Sequence, residues 1–441
     1  MDLLGDPKTA IRSMAVPFLT SLLVTQGNVF IDTFWTSNLG ASAVSGMTSA
    51  VPMFAAISSI GIGLSTGVVA TVAYRLGQGD HGSAGRICGN AVFLGVAITA
   101  AVAALIFVLQ DPIIALMGSE DVSTEIHQYL LPFLLLSPVT VLNTVFGGML
   151  RAEGAARRST LIQMSSVGVN ILLDPLLIFG LGLGVAGASL ATVLSYAVGL
   201  TTAVRWYVLG LTNVRVSRMD LKPTATTVRE LMGVGAPRIV EGFVNNFVIL
   251  VQRVFIIMAS GTIGVSLFNV PFRYVSLGMC PVEALGMASV PVIAGNYGKG
   301  DPEAMAVARG YVLKLALIIG LVFTAVLFLG SPLLTSLFTM EDSMHEWYDE
   351  FVWNLCAYSV IVPLFAVQSV SASILQAVKK SRHPMRISMA VGVFRIVVFW
   401  LAVPFGFKGI TIALIASYVL SCALTYAISS VCFRKVCDGI V

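Results

Sequence analysis

Charge is scarce in this sequence. Of its 441 residues, 11% are Asp, Glu, Lys or Arg and 57% are hydrophobic, with a mean hydropathy of +0.91. A water-soluble chain of this length needs a charged shell over much of its surface, so that class is excluded. Histidine occurs four times and cysteine six, without metal-ligand spacing or a disulfide framework, which argues against a zinc site. The short "GQGD" (77–80) and "GKGD" (298–301) stretches lack the Walker spacing and its Ser/Thr, so no nucleotide motif points to ATP coupling. The net charge of +4 is scattered through short loops rather than gathered on one face, which excludes nucleic acid as a partner. The opening "MDLLGDPKTAIRS" carries acids and a proline but no apolar core, and so does not read as a signal peptide.

Apolar runs of the length a helix needs to cross a bilayer recur from end to end. Backbone groups in lipid must be bonded internally, so these runs become helices. Twelve spans are expected, at 11–36, 47–74, 86–109, 127–149, 160–180, 184–208, 231–258, 265–296, 308–332, 351–376, 386–403 and 409–432. Alternate loops are basic: Arg75 and Arg86, then Arg151, Arg157 and Arg158, then Arg215, Arg218, Lys222 and Arg229. Lys379, Lys380, Arg382 and Arg386 continue the pattern. The intervening loops carry Asp111, Glu120, Asp121 and Glu125, or Glu341, Asp342, Glu346, Asp349 and Glu350. The positive-inside rule then places both termini in the cytoplasm of a multi-pass plasma-membrane protein.

The chain also repeats itself. "GASAVSGMTSAVP" (40–52) aligns with "GTIGVSLFNVPFR" (261–273), and "YRLGQGD" (74–80) with "GNYGKGD" (295–301). "GVAGASLATVLSY" (184–196) aligns with "GFKGITIALIASY" (406–418). Six helices per repeat in one orientation make parallel repeats related by an axis along the membrane normal. The expected fold is therefore an all-α membrane protein whose twelve helices form two six-helix lobes around a central cleft. Residues 1–209 make the N-lobe, 210–230 a cytoplasmic linker and 231–441 the C-lobe.

Few polar side chains lie deep in the spans. Asp32 is about 8 Å below the end of helix 1, Asp174 about 9 Å below the end of helix 5, and Thr192 about 12 Å into helix 6. Asn170 sits one turn from Asp174 on the same face. Intramembrane acids usually face a cavity or a partner. Two carboxylates at one depth can take up a proton, or can coordinate a hard cation together with Asn and Thr. The alternative is that Asn170 and Thr192 serve as interhelical glue. Pro17 lacks an N–H and is a candidate kink in helix 1.

These residues, with "FIDTFWTSNLG", "MLRAEGAARRS", "NILLDPLLI" and the double repeat, resemble the multidrug and toxic compound extrusion (MATE) family. That family belongs to the multidrug/oligosaccharidyl-lipid/polysaccharide flippase superfamily. The resemblance looks closest to its archaeal and DNA-damage-inducible branch. It implies an export antiporter, not an enzyme, that draws on inward H⁺ or Na⁺ and needs no other cofactor. It further implies that Asp32, Asn170, Asp174 and Thr192 form the cation site, with helix 1 bending when the aspartate is protonated. Hydrophobic or amphipathic small molecules are the expected substrates, lipids the surroundings, and a monomer the expected state.

The second half departs from the first. At the repeat offset Asp32 falls on Arg253, and near the helix 5/11 match Asn170 falls on Arg395; Arg273 lies at similar depth. Gln26, Asn28, Asn246 and the three arginines are candidates to line the substrate cavity. Helix 10 has no acid, which argues against a second cation site there. The arginines either hold an anionic or carboxylated amphiphile, or satisfy carbonyls and pair with Glu283. A lipid or lipid-linked precursor flippase with a basic C-lobe cavity is therefore the alternative function.

Overall fold

The computed structural model describes residues 4–337 and 346–439, apart from the side chains of Leu116 and Thr262. Glu341 and Asp342 of the expected acidic loop lie outside the described residues. Among the described residues twelve long helices follow one another: α1 Pro7–Ser37, α2 Ala41–Gly77, α3 His81–Leu116, α4 Ser123–Ala152, α5 Ala156–Pro175 and α6 Gly184–Val208. After the linker come α7 Ala225–Gly261, α8 Ile263–Lys299, α9 Pro302–Ser336 and α10 Tyr348–Ala377. The run Arg382–Asp438 is two helices, α11 Arg382–Ala402 and α12 Gly406–Asp438, parted by a turn at Val403–Phe405. Each expected span is found, and most are longer by several residues at one or both ends. Hydropathy registers only the apolar centre of a helix, whereas the backbone ladder continues into polar ends.

Backbone geometry carries the repeat more sharply than side chains do. Gly40 and Gly261 stand at aligned positions between α1 and α2, and between α7 and α8, with φ of 96° and 63°. Gly79 and Gly300 follow α2 and α8 with φ of 76° and 75°, and Gly184 and Gly406 open α6 and α12 with φ of 54° and 65°. These left-handed values are strained for a residue with a Cβ. After Gly79 and Gly300, Asp80 accepts from the Ser83 N–H at 2.9 Å, and Asp301 from the Ala304 N–H at 3.0 Å. Both are helix N-caps. The Ser83 hydroxyl and N–H hold the Asp80 carboxyl below its ordinary value. Asp80→Ala and Asp301→Ala are each expected to cost about 1 kcal/mol of stability, read as a fall in melting temperature in detergent. The Asp80 cap should weaken only as pH drops through its depressed titration range.

Two compact units emerge. The first holds Val16–Phe243 with Ala294–Lys299, and its core is built on Ile57, Ile60, Leu64, Ile126, Leu130 and Phe133. The second includes Asp6–Ala15 and Val244–Ile293, with Tyr358, Ile361, Phe399 and Leu414 in its core. Met53 and Met279 pack into these two cores respectively. The unit boundary crosses α1 between Ala15 and Val16, just before Pro17. The helix itself runs unbroken through Pro17 from Pro7 to Ser37.

The linker is docked along part of its length. Asn90 of α3, fully buried, donates to the carbonyls of Asp220 (2.8 Å) and Lys222 (3.1 Å) and accepts from the Thr224 N–H (3.0 Å). Glu153, just beyond α4, accepts from the Tyr207 hydroxyl at 2.5 Å and from the Asn213 N–H at 2.7 Å. Burial pushes the Glu153 carboxyl up, while these bonds pull it down. Such buried bonds stabilise modestly when made and are expensive to break one-sidedly.

Candidate functional site

The first unit gathers four polar side chains from two helices. On α1, Asn28 and Asp32 are four residues apart and share a face, as do Asn170 and Asp174 on α5. The Asn28 amide donates to both Asp32 oxygens at 3.2 and 3.1 Å, and to the Asn170 carbonyl oxygen at 2.7 Å. The Asn170 amide in turn donates to Asp174 Oδ1 at 3.2 Å. Asp32 and Asp174 themselves approach within hydrogen-bonding reach. Asn170 and Asp174 are buried, at 4% and 3% exposure.

Two acceptor atoms in this hydrogen-bonded set have no donor, Asn28 Oδ1 and Asp174 Oδ2. Asp174 Oδ2 is buried and unpartnered, beside a second carboxylate. Ionised carboxylates only accept, so neither acid can satisfy the other. A proton shared between them, or a small cation bridging them, would complete the set. All the donor atoms are oxygens or amides, the ligand chemistry of a hard cation rather than a soft metal. Among the described residues, no cluster of three or more His, Cys, Asp or Glu could hold a metal.

The local fold sets Asp174 at a break. Pro175 follows it, and α5 passes into a π turn over Leu176–Gly180. Proline deletes one backbone donor, and wide turns of this kind are frequent at functional sites. The adjacent proline was the sequence signal for this turn.

Thr192 stands apart from the hydrogen-bonded chain. Its hydroxyl donates to the Ala188 carbonyl of its own helix at 3.1 Å. Tyr129 of α4 and Tyr196 of α6 come close enough to Asp32 to interact with its charge, and sequence reasoning had singled out neither. Tyr196 lies one turn beyond Thr192, so the faces of α6 were the available clue. Asn28, a candidate for the substrate cavity, bridges α1 and α5 as a donor to Asp32 and Asn170. Gln26 is half-buried on α1.

In the second unit, Arg253 and Arg273 are exposed and Arg395 is half-buried, as is Asn246. Arg395 Nε donates to Ser417 Oγ at 2.9 Å, and its guanidinium lies 5.1 Å from the centre of the Tyr418 ring. Helix α7 meets α11 along one stripe. A Cβ on Gly392 would lie 2.9 Å from Val248 and 3.6 Å from Val244, and the Phe255 and Phe399 rings are 6.4 Å apart. Ser388 donates to Asn245 at 2.8 Å beside that stripe. At about 100° per residue, Arg253 points well away from it. In the first unit, Arg238 Nη1 pairs with Glu241 Oε2 at 3.2 Å, one turn apart on α7.

Comparison with known proteins bears on both halves. The MatE family model matches residues 17–176 and 237–401. An FAD transporter of Shewanella oneidensis is 28% identical, over 96% of this chain and 94% of its own length. The multidrug export protein MepA of Staphylococcus aureus is 25% identical, over 86% of this chain and 84% of its own. Among solved structures, a MATE in the straight conformation superposes with a TM-score of 0.92 at 25% identity, covering 98% of both chains. A multidrug/oligosaccharidyl-lipid/polysaccharide superfamily transporter from Pyrococcus furiosus, described as having a binding pocket of reverse polarity, gives 0.93 at 24%. That match covers 98% of this chain and 97% of the other.

Proposed function

Because this chain belongs to the MATE family of membrane transporters, we propose that it is a cation-coupled antiporter whose coupling site is the Asp32–Asp174 pair. The reading rests on one observation: a buried carboxylate oxygen with no donor, set against a second acid. Such a pair is poised to take up a proton or Na⁺ and to release it when the surroundings change. Export follows if the cation binds one state of an alternating-access cycle more tightly than the other, since only differential affinity can drive the exchange. Parallel repeats in one chain suit that cycle.

The basic ends of the helices then face the cytoplasm of the plasma membrane, following the distribution of Arg and Lys. Hydrophobic and amphipathic compounds are the proposed cargo, supported by the likeness to MepA. The FAD transporter among the relatives adds phosphate-bearing anions to the compounds worth testing.

Purified protein in liposomes, loaded with ethidium and given a pH gradient or a Na⁺ gradient separately, tests the coupling. One of the two gradients should accelerate ethidium movement several-fold over the gradient-free rate. A rate indifferent to both would refute the proposal.

A further inference from the structure

We infer that the second unit carries an anion subsite centred on Arg395, which recognises a phosphate-bearing small molecule. The inference deepens the transport reading above by naming a substrate class. It begins with how the guanidinium is held. Ser417 is fully buried, and its hydroxyl donates to the Leu414 carbonyl at 2.6 Å, which turns its oxygen toward Arg395 Nε. The Tyr418 ring covers the guanidinium face. Nε is therefore fixed and the plane is set, while both Nη amino groups have no protein hydrogen bond among the described residues. They are also absent from the buried polar atoms and so remain accessible. A fork of free Nη groups held in one plane is the geometry that meets two oxygens of a phosphate at once.

Depth makes the arrangement informative. Arg395 lies seven residues from the Ala402 end of α11, about 10 Å down, and Arg253 lies eight from Gly261, about 12 Å down. Neither has a carboxylate within ion-pair distance among the described residues. A cationic head left unpaired at such depth is costly against lipid and belongs at a water-filled space. The second unit thus presents two hydrated positive heads at one level, with Arg273 at a comparable depth about 15 Å from Ile263.

The repeat shows that this is a polarity reversal of one frame. Ser417 and Tyr418 stand where the first half has Ser195 and Tyr196, and Arg395 lies within one turn of the position of Asn170. Tyr196 lies by Asp32. The same backbone frame therefore carries an acid–amide set in one half and a guanidinium set in the other. A dianionic phosphate monoester presents more charged oxygen to the Arg395 fork than a lone carboxylate does.

Isothermal titration of the purified full chain with flavin mononucleotide, and with riboflavin as the same ring without phosphate, tests the subsite. The phosphate ester should bind at least tenfold more tightly. Arg395→Gln should collapse that preference toward one, and Arg395→Lys, which keeps the charge but loses the fork, should keep only part of it. The lysine variant carries the test should Arg395→Gln fail to fold. Phosphatidic acid as competitor separates sources: displacement assigns the subsite to lipid phosphates, and none assigns it to soluble ones. Equal affinity for the two flavins, or a preference unmoved in the Arg395 variants, would overturn the inference. Binding is read at equilibrium without any ion gradient, so a failure of the antiport reading leaves this measurement standing.

Discussion

Asp174→Asn is expected to bring gradient-driven transport down to the gradient-free rate without loss of stability. Asp174 Oδ2 is buried, lacks a donor and abuts Asp32. Asparagine is nearly isosteric, removes one of two like charges and offers an amide that Asp32 can accept. The variant should therefore melt no lower than the parent, with a gain of up to about 1 kcal/mol from the completed bond. Coupling needs a site that loads and unloads a cation, and an amide does neither. Asp32→Asn should be equally uncoupled, though it alters the acceptor for the Asn28 amide. The double variant should transport no worse than either single one, because the two acids act as a unit. Paired measurements of melting temperature and driven ethidium efflux decide the matter. Retained coupling in Asp174→Asn would remove the pair from the mechanism.

Asp32 and Asp174 were legible from sequence because a carboxylate in an apolar span is rare and its depth can be counted in residues. The same logic located the three arginines. What could not be read was direction around the helix axis. Arg253 occupies the repeat position of Asp32, yet α7 meets α11 along the Val244–Val248–Phe255 stripe while α1 meets α5 through Asn28. Equivalent positions in the two halves therefore face different neighbours, a consequence of packing that no spacing encodes. The bridging role of Asn28 was hidden for a related reason: a half-buried amide one turn from an acid reads equally well as a cavity lining or as a bridge.

Helix identities and order followed from hydropathy, since length and apolarity suffice to define a span. The docked linker did not, because its anchors, Asn90 and Glu153, belong to helix ends distant in sequence. The turn at Asp174 lay between these extremes. Pro175 is a local signal of an irregularity inside the expected span 160–180, but only backbone geometry reveals that it takes the form of a π turn.

Gly298→Ala should damage the protein, and Gly295→Ala, three residues away, should not. Within the first unit the ends of α2 and α8 cross at backbone contact. A Cβ on Gly298 would strike the Tyr74 backbone carbonyl, and one on Gly77 would strike the carbonyl of Gly295. The contact is reciprocal under the repeat, since Gly77 aligns with Gly298 and Tyr74 with Gly295. The Tyr74 and Tyr297 rings pack beside it, 5.0 Å apart. Backbone cannot rotate aside as a side chain can, so an added methyl must push the helices apart, at a cost of about 1–3 kcal/mol or more. Gly295 itself has room: its Cβ would meet the flexible end of Leu4 at 3.3 Å and the Ala73 carbonyl at 3.7 Å. Its alanine variant should stay within about 0.5 kcal/mol of the parent. If a transport cycle must remake this crossing at each turnover, Gly298→Ala and Gly77→Ala should also slow efflux, whereas Gly295→Ala should not. Melting temperatures and driven efflux rates of the three variants provide the check. Equal tolerance of all three would show that the crossing is looser than its geometry implies.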